Sequence, residues 1–454
     1  MTSGTIATER VPSARTQSVA ITTAAFGQNV ILTTVSTFIL LYLVQFADFS
    51  SSAIVVASVI LGVAKGIDAV SDPLVGTFID RTSTRWGKFR PYVLFSALPV
   101  ALLTTLLFSI PDTSEGAKLV YFGITYLLWG IAYSACDVPL WGLIGSAFGE
   151  SASRVRVVSN VRAFGSISLG LVTLFMQPLA LALSFSDNTT AQGWSLAVGI
   201  TAFAGMGLYL LAFFKVRERK VPGKRSILTF RQLFGTLFKN TPLLMVLLGS
   251  ILGFGRFIIQ SGGALFVVIA YGKHFSFTLV GAAIIIGLVI ASFCTPLVLR
   301  KVSGKMLMIW SSAIGAVLYL LMYLAGYENV VVVMTFTFLT GLTLGIFLVV
   351  QATMIADAVD DVEKRTGVRN DGISFSTLTF VSKLMTALAV LVFGVFIGAS
   401  GYHEGVQVTA AMQQTVWIAL TIVPGISCVL SIVPFVFYRL GGRTTAPVRP
   451  RSGR

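Results

Sequence analysis

Lys65-Gly-Ile-Asp68-Ala-Val-Ser-Asp72-Pro73 lies inside a long apolar segment and sets two carboxylates four residues apart, on one face of any helix that contains them. A charge near the centre of a bilayer costs at least about 2.5 kcal/mol on insertion scales, and two like charges on neighbouring turns repel each other. The pair calls for a cation between Asp68 and Asp72, and the stretch reads as a small-ion or proton site within a membrane protein.

The remainder of the chain fits that environment. Of its 454 residues 55% are hydrophobic and 11% charged, with 43 glycines and a mean hydropathy of +0.86, whereas soluble domains carry about 25% charged residues. Stretches apolar and long enough to cross about 30 Å of hydrocarbon fall at 19–46, 53–79, 91–110, 118–147, 157–184, 193–214, 242–271, 277–299, 307–325, 330–357, 373–400 and 412–438. Twelve spans predict an all-α membrane protein with both termini on one side.

A net charge of +15 and a pI near 9.9 would suggest nucleic acid in a soluble chain, but the positions of the basic residues exclude that partner here. Of 33 Lys and Arg, 27 fall in the two tails and in 80–90, 154–156, 215–239, 300–305 and 364–369, which are alternate connections. The opposite connections hold Lys118 and Lys273, and the spans or their borders hold Lys65, Arg162, Arg256 and Lys383. Positive residues stay inside, which predicts a multi-pass protein of the plasma (cell inner) membrane with both termini cytoplasmic. The polar N-terminus, residues 1–15, lacks the apolar core of a cleavable signal, so the first helix is expected to direct insertion. Cys136, Cys294 and Cys428 fall in apolar segments without paired spacing, and neither a metal pattern nor a nucleophile motif accompanies His274 and His403. A cofactor-free protein that is not an enzyme is expected.

The basic linker 215–241 divides the chain into a tail 1–18, a six-helix bundle over 19–214, a second over 242–438 and a tail 439–454. Asp72-Pro-Leu-Val75 before Gly87-Lys88 has a faint echo in Thr295-Pro-Leu-Val298 before Gly304-Lys305. Two repeated six-span halves are the pattern of transporters that rock around a midplane site.

Other polar residues sort around the two acids. Tyr133, Asp137 and Trp141 recur every four residues in the fourth span, a carboxylate between two aromatic rings, which suits hydroxyls and the C–H face of a sugar in an otherwise apolar pocket. Pro139 in the same stretch can kink the helix and free carbonyls. Arg162 and Lys383 are isolated cations that need anionic partners, for which Asp68, Asp72 and Asp137 are the candidates. A lysine paired with a carboxylate only when a coupling ion is absent would give two conformations different ligand affinities. Asp48 and Arg256 read as structural pairs or snorkelling side chains. On the basic side, Asp80, Arg81, Lys88, Arg154, Asp357, Asp360, Glu363 and Arg369 supply complementary charges for a cytoplasmic gate.

Several of these segments together resemble the glycoside-pentoside-hexuronide:cation symporter family, the melibiose permease-like branch of the major facilitator superfamily. The resemblance rests on GIDAVSDPLVGTFIDRTSTRWGKFRPYVL, YLLWGIAYSACDVPLW, RVRVVSNVR and FSTLTFVSK, and runs over most of the chain. It implies twelve helices in two six-helix bundles and cation-coupled symport of a sugar or glycoside. It makes Asp68 and Asp72 the cation ligands with Ser134 beside them, Asp137 and Trp141 the sugar carboxylate and stacking ring, and Arg162, Lys383 and Thr379 the neighbouring polar groups. Asn29 stands where melibiose permease has an acid that binds galactoside hydroxyls, and Ser71 where it has an asparagine linked to sodium use. Leu348 likewise replaces a span-10 tryptophan. The coupling ion is therefore expected to be Na+ or H+, and the protein to work as a monomer. A carrier of lysolipids or other amphiphiles, and a drug exporter, are the alternative readings of the same fold.

Overall fold

The computed structural model describes residues 12–82, 84–148, 151–187, 189–218, 241–272, 277–366, 371–403 and 405–440. Within them it describes all side chains except those of 69–74, 77, 80, 151–155, 159, 356, 359–360, 362–366 and 371–379. The helices in chain order are α1 (Ala14–Phe46), α2 (Ser51–Arg81), α3 (Arg90–Leu107), α4 (Glu115–Ala147), α5 (Ser151–Ala182), α6 (Ala191–Lys215) and α7 (Thr241–Leu252). They continue with α8 (Ile258–Tyr271), α9 (Thr278–Leu299), α10 (Gly304–Ala325), α11 (Val330–Thr366), α12 (Asp371–Ser400) and α13 (Ala410–Phe437). A 3-10 turn, Phe254–Phe257, joins α7 to α8. Among the described residues twelve helical stretches are long and apolar enough to cross a membrane, as expected.

One expectation changes. The seventh span, read as continuous over 242–271, is interrupted at Gly253, so α7 and α8 are two helices in one crossing. Inside a bilayer every backbone group needs a partner, and at the interruption Ser427 of α13 supplies two of them, its hydroxyl donating to the Leu252 carbonyl (2.6 Å) and accepting from the Gly255 N–H (2.9 Å).

The helix ends follow ordinary capping chemistry. Thr190, Ser303 and Thr409 accept from the backbone N–H groups of Gly193, Met306 and Met412 at the starts of α6, α10 and α13. Phe89 offers α3 no side-chain cap, and Pro91 stands in its first turn, where a missing N–H is harmless. Its open N–H groups are taken by Glu218, whose carboxylate accepts from Lys88 (2.9 Å), Phe89 (2.7 Å) and Arg90 (3.0 Å).

The chain packs as two compact units. The first comprises 1–36, 70–111 and 120–227. In it α1 and α6 meet where a methyl on Gly205 would lie 2.8 Å from the Gly27 carbonyl oxygen. Ser168 donates to the Phe26 carbonyl (3.0 Å), Tyr209 to that of Cys136 (2.7 Å), and Arg90 to that of Phe213 (2.7 and 3.0 Å). The second comprises 37–69, 112–119 and 228–454. Its core gathers Leu243, Val246, Met308, Phe347, Met385 and Phe435. At the N-terminal end of α2 Lys118 is enclosed, donating to the Ala47 carbonyl (3.1 Å) and pairing with Asp112 (3.4 Å) and Asp48 (3.8 Å). Asp48 therefore has the structural pairing read from sequence.

Candidate functional site

The second unit holds the charged pair on which the sequence reading turned. Lys383 Nζ lies 3.2 Å from Asp68 Oδ2, with 17% and 14% of the two side chains exposed. Asp68 stands in α2 and Lys383 in α12. Of the three carboxylates named as partners for Lys383, Asp68 is one that it meets among the described side chains. Lys65, one turn before Asp68, is within electrostatic reach of both members of the pair. The cluster therefore has two cations around Asp68, and any further cation at this carboxylate would have to compete with a lysine ammonium already there. Lys65 was not among the sequence candidates, although its i, i+3 spacing to Asp68 was a usable signal. The side chains of Asp72, Ser71 and Thr379 lie outside the described residues.

The first unit holds the sugar-like constellation. Asp137, half-buried on α4, accepts on one oxygen from Gln28 Nε2 (2.8 Å) and Trp141 Nε1 (3.2 Å). Trp141 keeps 37% of its surface exposed, so its ring can meet a ligand while its N–H steadies the carboxylate. Gln28, buried on α1, is the partner that sequence reasoning missed in favour of its neighbour. Asn29 turns its amide to the Ala25 carbonyl (2.8 Å) and packs beside Gly165 of α5. Tyr133 is drawn into an aromatic ladder along α4, with ring centroids 5.7 Å between Phe122 and Tyr126, 5.7 Å between Tyr126 and Trp129, and 5.1 Å between Trp129 and Tyr133. The four-residue aromatic stripe is thus partly a packing device, its exposed member being Trp141. Ser134 is fully buried on the same helix. Arg162, on α5, is exposed and has no ion pair among the described residues.

Three of the expected gate charges are described. Arg81 is exposed at the end of α2, Lys88 stands 5.2 Å from the centre of the Phe89 ring, and Asp357 lies near the end of α11. Asp357 and Asp361 lie near Tyr438. The side chains of Asp80, Arg154, Asp360 and Glu363, and Arg369 as a whole, lie outside the described residues.

Arg256 departs from its expected role. It does not snorkel: its side chain is fully buried behind the break in the seventh span, without a carboxylate partner among the described residues.

Comparison with known proteins gives a consistent assignment. The sequence model for the family described as MFS/sugar transport protein matches residues 20–442. An uncharacterized symporter, YnaJ, of Bacillus subtilis (strain 168) is 30% identical over 424 residues, covering 91% of this chain and 89% of its own. The isoprimeverose transporter of Lactiplantibacillus pentosus is 28% identical, covering 91% of this chain and 86% of its own. Among solved structures, a bacterial homolog of the human lysosomal transporter Spinster aligns with a TM-score of 0.67 at 13% identity, over 94% of this chain and 96% of that one. That likeness concerns the fold, which is the major facilitator fold.

Proposed function

The chain belongs to the MFS/sugar transport protein family, and from that footing we propose that it moves a sugar or glycoside together with a cation by alternating access. Its family consists of transporters, and its relatives include the isoprimeverose transporter and two lactose permeases. The observation that carries the reading is the enclosed pair between Lys383 and Asp68 (3.2 Å). A sodium ion or a proton at Asp68, with Asp72 one turn on, neutralises the carboxylate and releases Lys383. Each state of the pair then favours a different arrangement of the helices that carry it, which is what coupling requires.

Asp137, Gln28 and Trp141 form the substrate side of the proposal. One carboxylate and one amide offer hydrogen bonds to hydroxyls, and the exposed indole offers its face to the C–H side of a pyranose or furanose ring. Arg162, Asn29 and Thr379 complete the set by resemblance. The clustering of 27 of 33 basic residues on one side supports a plasma-membrane orientation with both termini in the cytoplasm. Each chain is proposed to carry its own path and to function as a monomer.

The test is a screen of sugars and glycosides in sealed vesicles with sodium and proton gradients imposed separately. Uptake of at least one sugar above its equilibrium level, driven by one of the two gradients, is expected. No such uptake of any sugar under either gradient would remove the proposal.

A further inference from the structure

We infer that the second unit holds a buried binding site for a small monovalent anion of chloride's size, formed by Arg256, Ser250 and Gln351. The site concerns the charge balance of that unit and stands apart from the sugar and the coupling cation of the transport reading.

Arg256 carries a charge that nothing around it cancels. Its side chain is fully buried in the 3-10 turn between α7 and α8. Nη2 donates to Ser312 Oγ of α10 (2.8 Å), which Ser431 of α13 joins at 3.2 Å, and Nη1 turns back to the Gly253 carbonyl at 3.4 Å. The guanidinium carbon lies 4.3 Å from the centre of the Phe347 ring of α11. Tyr319 and Cys428 are within electrostatic reach, and no carboxylate pairs with it among the described residues. Hydroxyls, one carbonyl and a ring soften the charge without neutralising it, and a buried ion is costly unless it meets an opposite charge.

The same neighbourhood gathers donors without acceptors. Arg256 Nε has no hydrogen-bond partner, nor has Ser250 Oγ, nor either end of the Gln351 amide, and all three residues are fully buried. Such atoms are exceptions inside proteins. Ser250 lies in the last turn of α7, where its carbonyl accepts from the Gly253 N–H (2.9 Å). A methyl on Gly253 would stand 2.5 Å from Arg256 Nη1 and 3.2 Å from the Ser250 carbonyl oxygen, so the guanidinium folds back over the turn that Ser250 begins. Gln351 is one turn beyond Phe347 on α11, and long helical side chains lie back over the preceding turn. Its amide is thereby brought toward the ring on which Arg256 rests. α7 and α11 meet along this line, since Val246 and Leu247, one turn before Ser250, share a core with Phe347 and Val350.

Three unmet donors around an unneutralised cation select an anion over water. A water molecule brings hydrogens that need acceptors of their own, whereas the atoms without partners here are chiefly donors. A halide accepts from the Arg256 Nε–H, the Ser250 hydroxyl and Gln351 Nε2 together and cancels the charge. Both ends of the Gln351 amide are unpartnered, so it is free to present its nitrogen. One arginine balances one negative charge, which disfavours phosphate and sulfate, and complete enclosure disfavours larger organic anions.

The experiment uses the full chain purified in detergent and dialysed into sodium gluconate, whose anion is too large for the site. Gluconate is then exchanged for chloride or bromide at constant sodium and ionic strength, and the melting temperature is followed. In the parent it is expected to rise by at least about 3 °C along a saturating curve, as for a ligand held by the folded state alone. Arg256→Met should melt at the same temperature in all three salts. Gln351→Leu, close in volume to the amide, should be at least as stable as the parent in gluconate, because an unpaired buried amide is gone. It should also raise the midpoint of the bromide titration at least about tenfold; if Arg256→Met does not fold, this variant decides alone. Equal melting temperatures of the parent in gluconate, chloride and bromide would overturn the site. So would a parent-like bromide midpoint in Gln351→Leu, which would mean that the ion acts elsewhere. In crystals grown in bromide, anomalous scattering should place an ion beside Arg256 Nε, and bromide found only at other positions would likewise overturn it.

Discussion

Lys383 Nζ and Asp68 Oδ2 stand 3.2 Å apart in a setting that exposes less than a fifth of either side chain. Removing one partner of such a pair costs about 3–5 kcal/mol because the other charge stays enclosed. Asp68→Asn and Lys383→Met are each expected to lose stability on that scale in detergent unfolding experiments. The double variant should be more stable than the sum of the two losses implies, by at least about 1 kcal/mol of coupling. Additive losses would mean that the pair has no energetic identity.

Asp137 is held by Gln28 and Trp141 on a single oxygen. Hydrogen bonds to a charged group contribute about 1.5–3 kcal/mol, so Asp137→Asn should weaken sugar binding by roughly ten- to a hundredfold, read by calorimetry on purified protein. Trp141→Phe keeps a ring and loses the N–H, and should cost less affinity than Trp141→Ala.

Gln28 offers a sharper test of the same carboxylate. Gln28→Glu sets a second acid beside Asp137, 2.8 Å from where the amide nitrogen now donates. Like charges at that distance cannot both ionise readily, so sugar binding should fall steeply with rising pH in the variant and change little in the parent. A flat profile in both would detach Gln28 from the site.

Glu218 caps α3 through three backbone N–H groups. Its replacement by alanine is expected to lower stability by about 1–3 kcal/mol, since caps and charge-assisted bonds each act at that scale, while sugar affinity stays as it was. Loss of affinity without loss of stability would show that Glu218 reaches the site instead.

Much of the fold was legible because the bilayer enforces it. Span length, apolar content and the one-sided placement of Lys and Arg are all one-dimensional signals. The paired acids stood out for the same reason, as charges where hydrocarbon should be. The partnership of Asp68 with Lys383 needed a contact between residues more than three hundred positions apart, and sequence could offer only a choice among three carboxylates. Tyr133 and Trp141 shared a periodic stripe, yet neighbouring rings claimed the first and left the second exposed, a distinction of packing that spacing does not carry. Gln28 was passed over for Asn29 because adjacent residues on a helix point in different directions. The seventh span looked continuous because its break depends on Ser427 in another helix.

The most direct measurement is sugar accumulation by the purified protein in sealed vesicles, wild type against Asp68→Asn, with a sodium or a proton gradient as the sole driving force. The account predicts that one gradient drives a sugar above its equilibrium level in the wild type. In the variant it predicts loss of that accumulation, while exchange of labelled for unlabelled sugar across the membrane persists. Accumulation by Asp68→Asn equal to that of the wild type would contradict the account, because the carboxylate paired with Lys383 would then have no part in coupling.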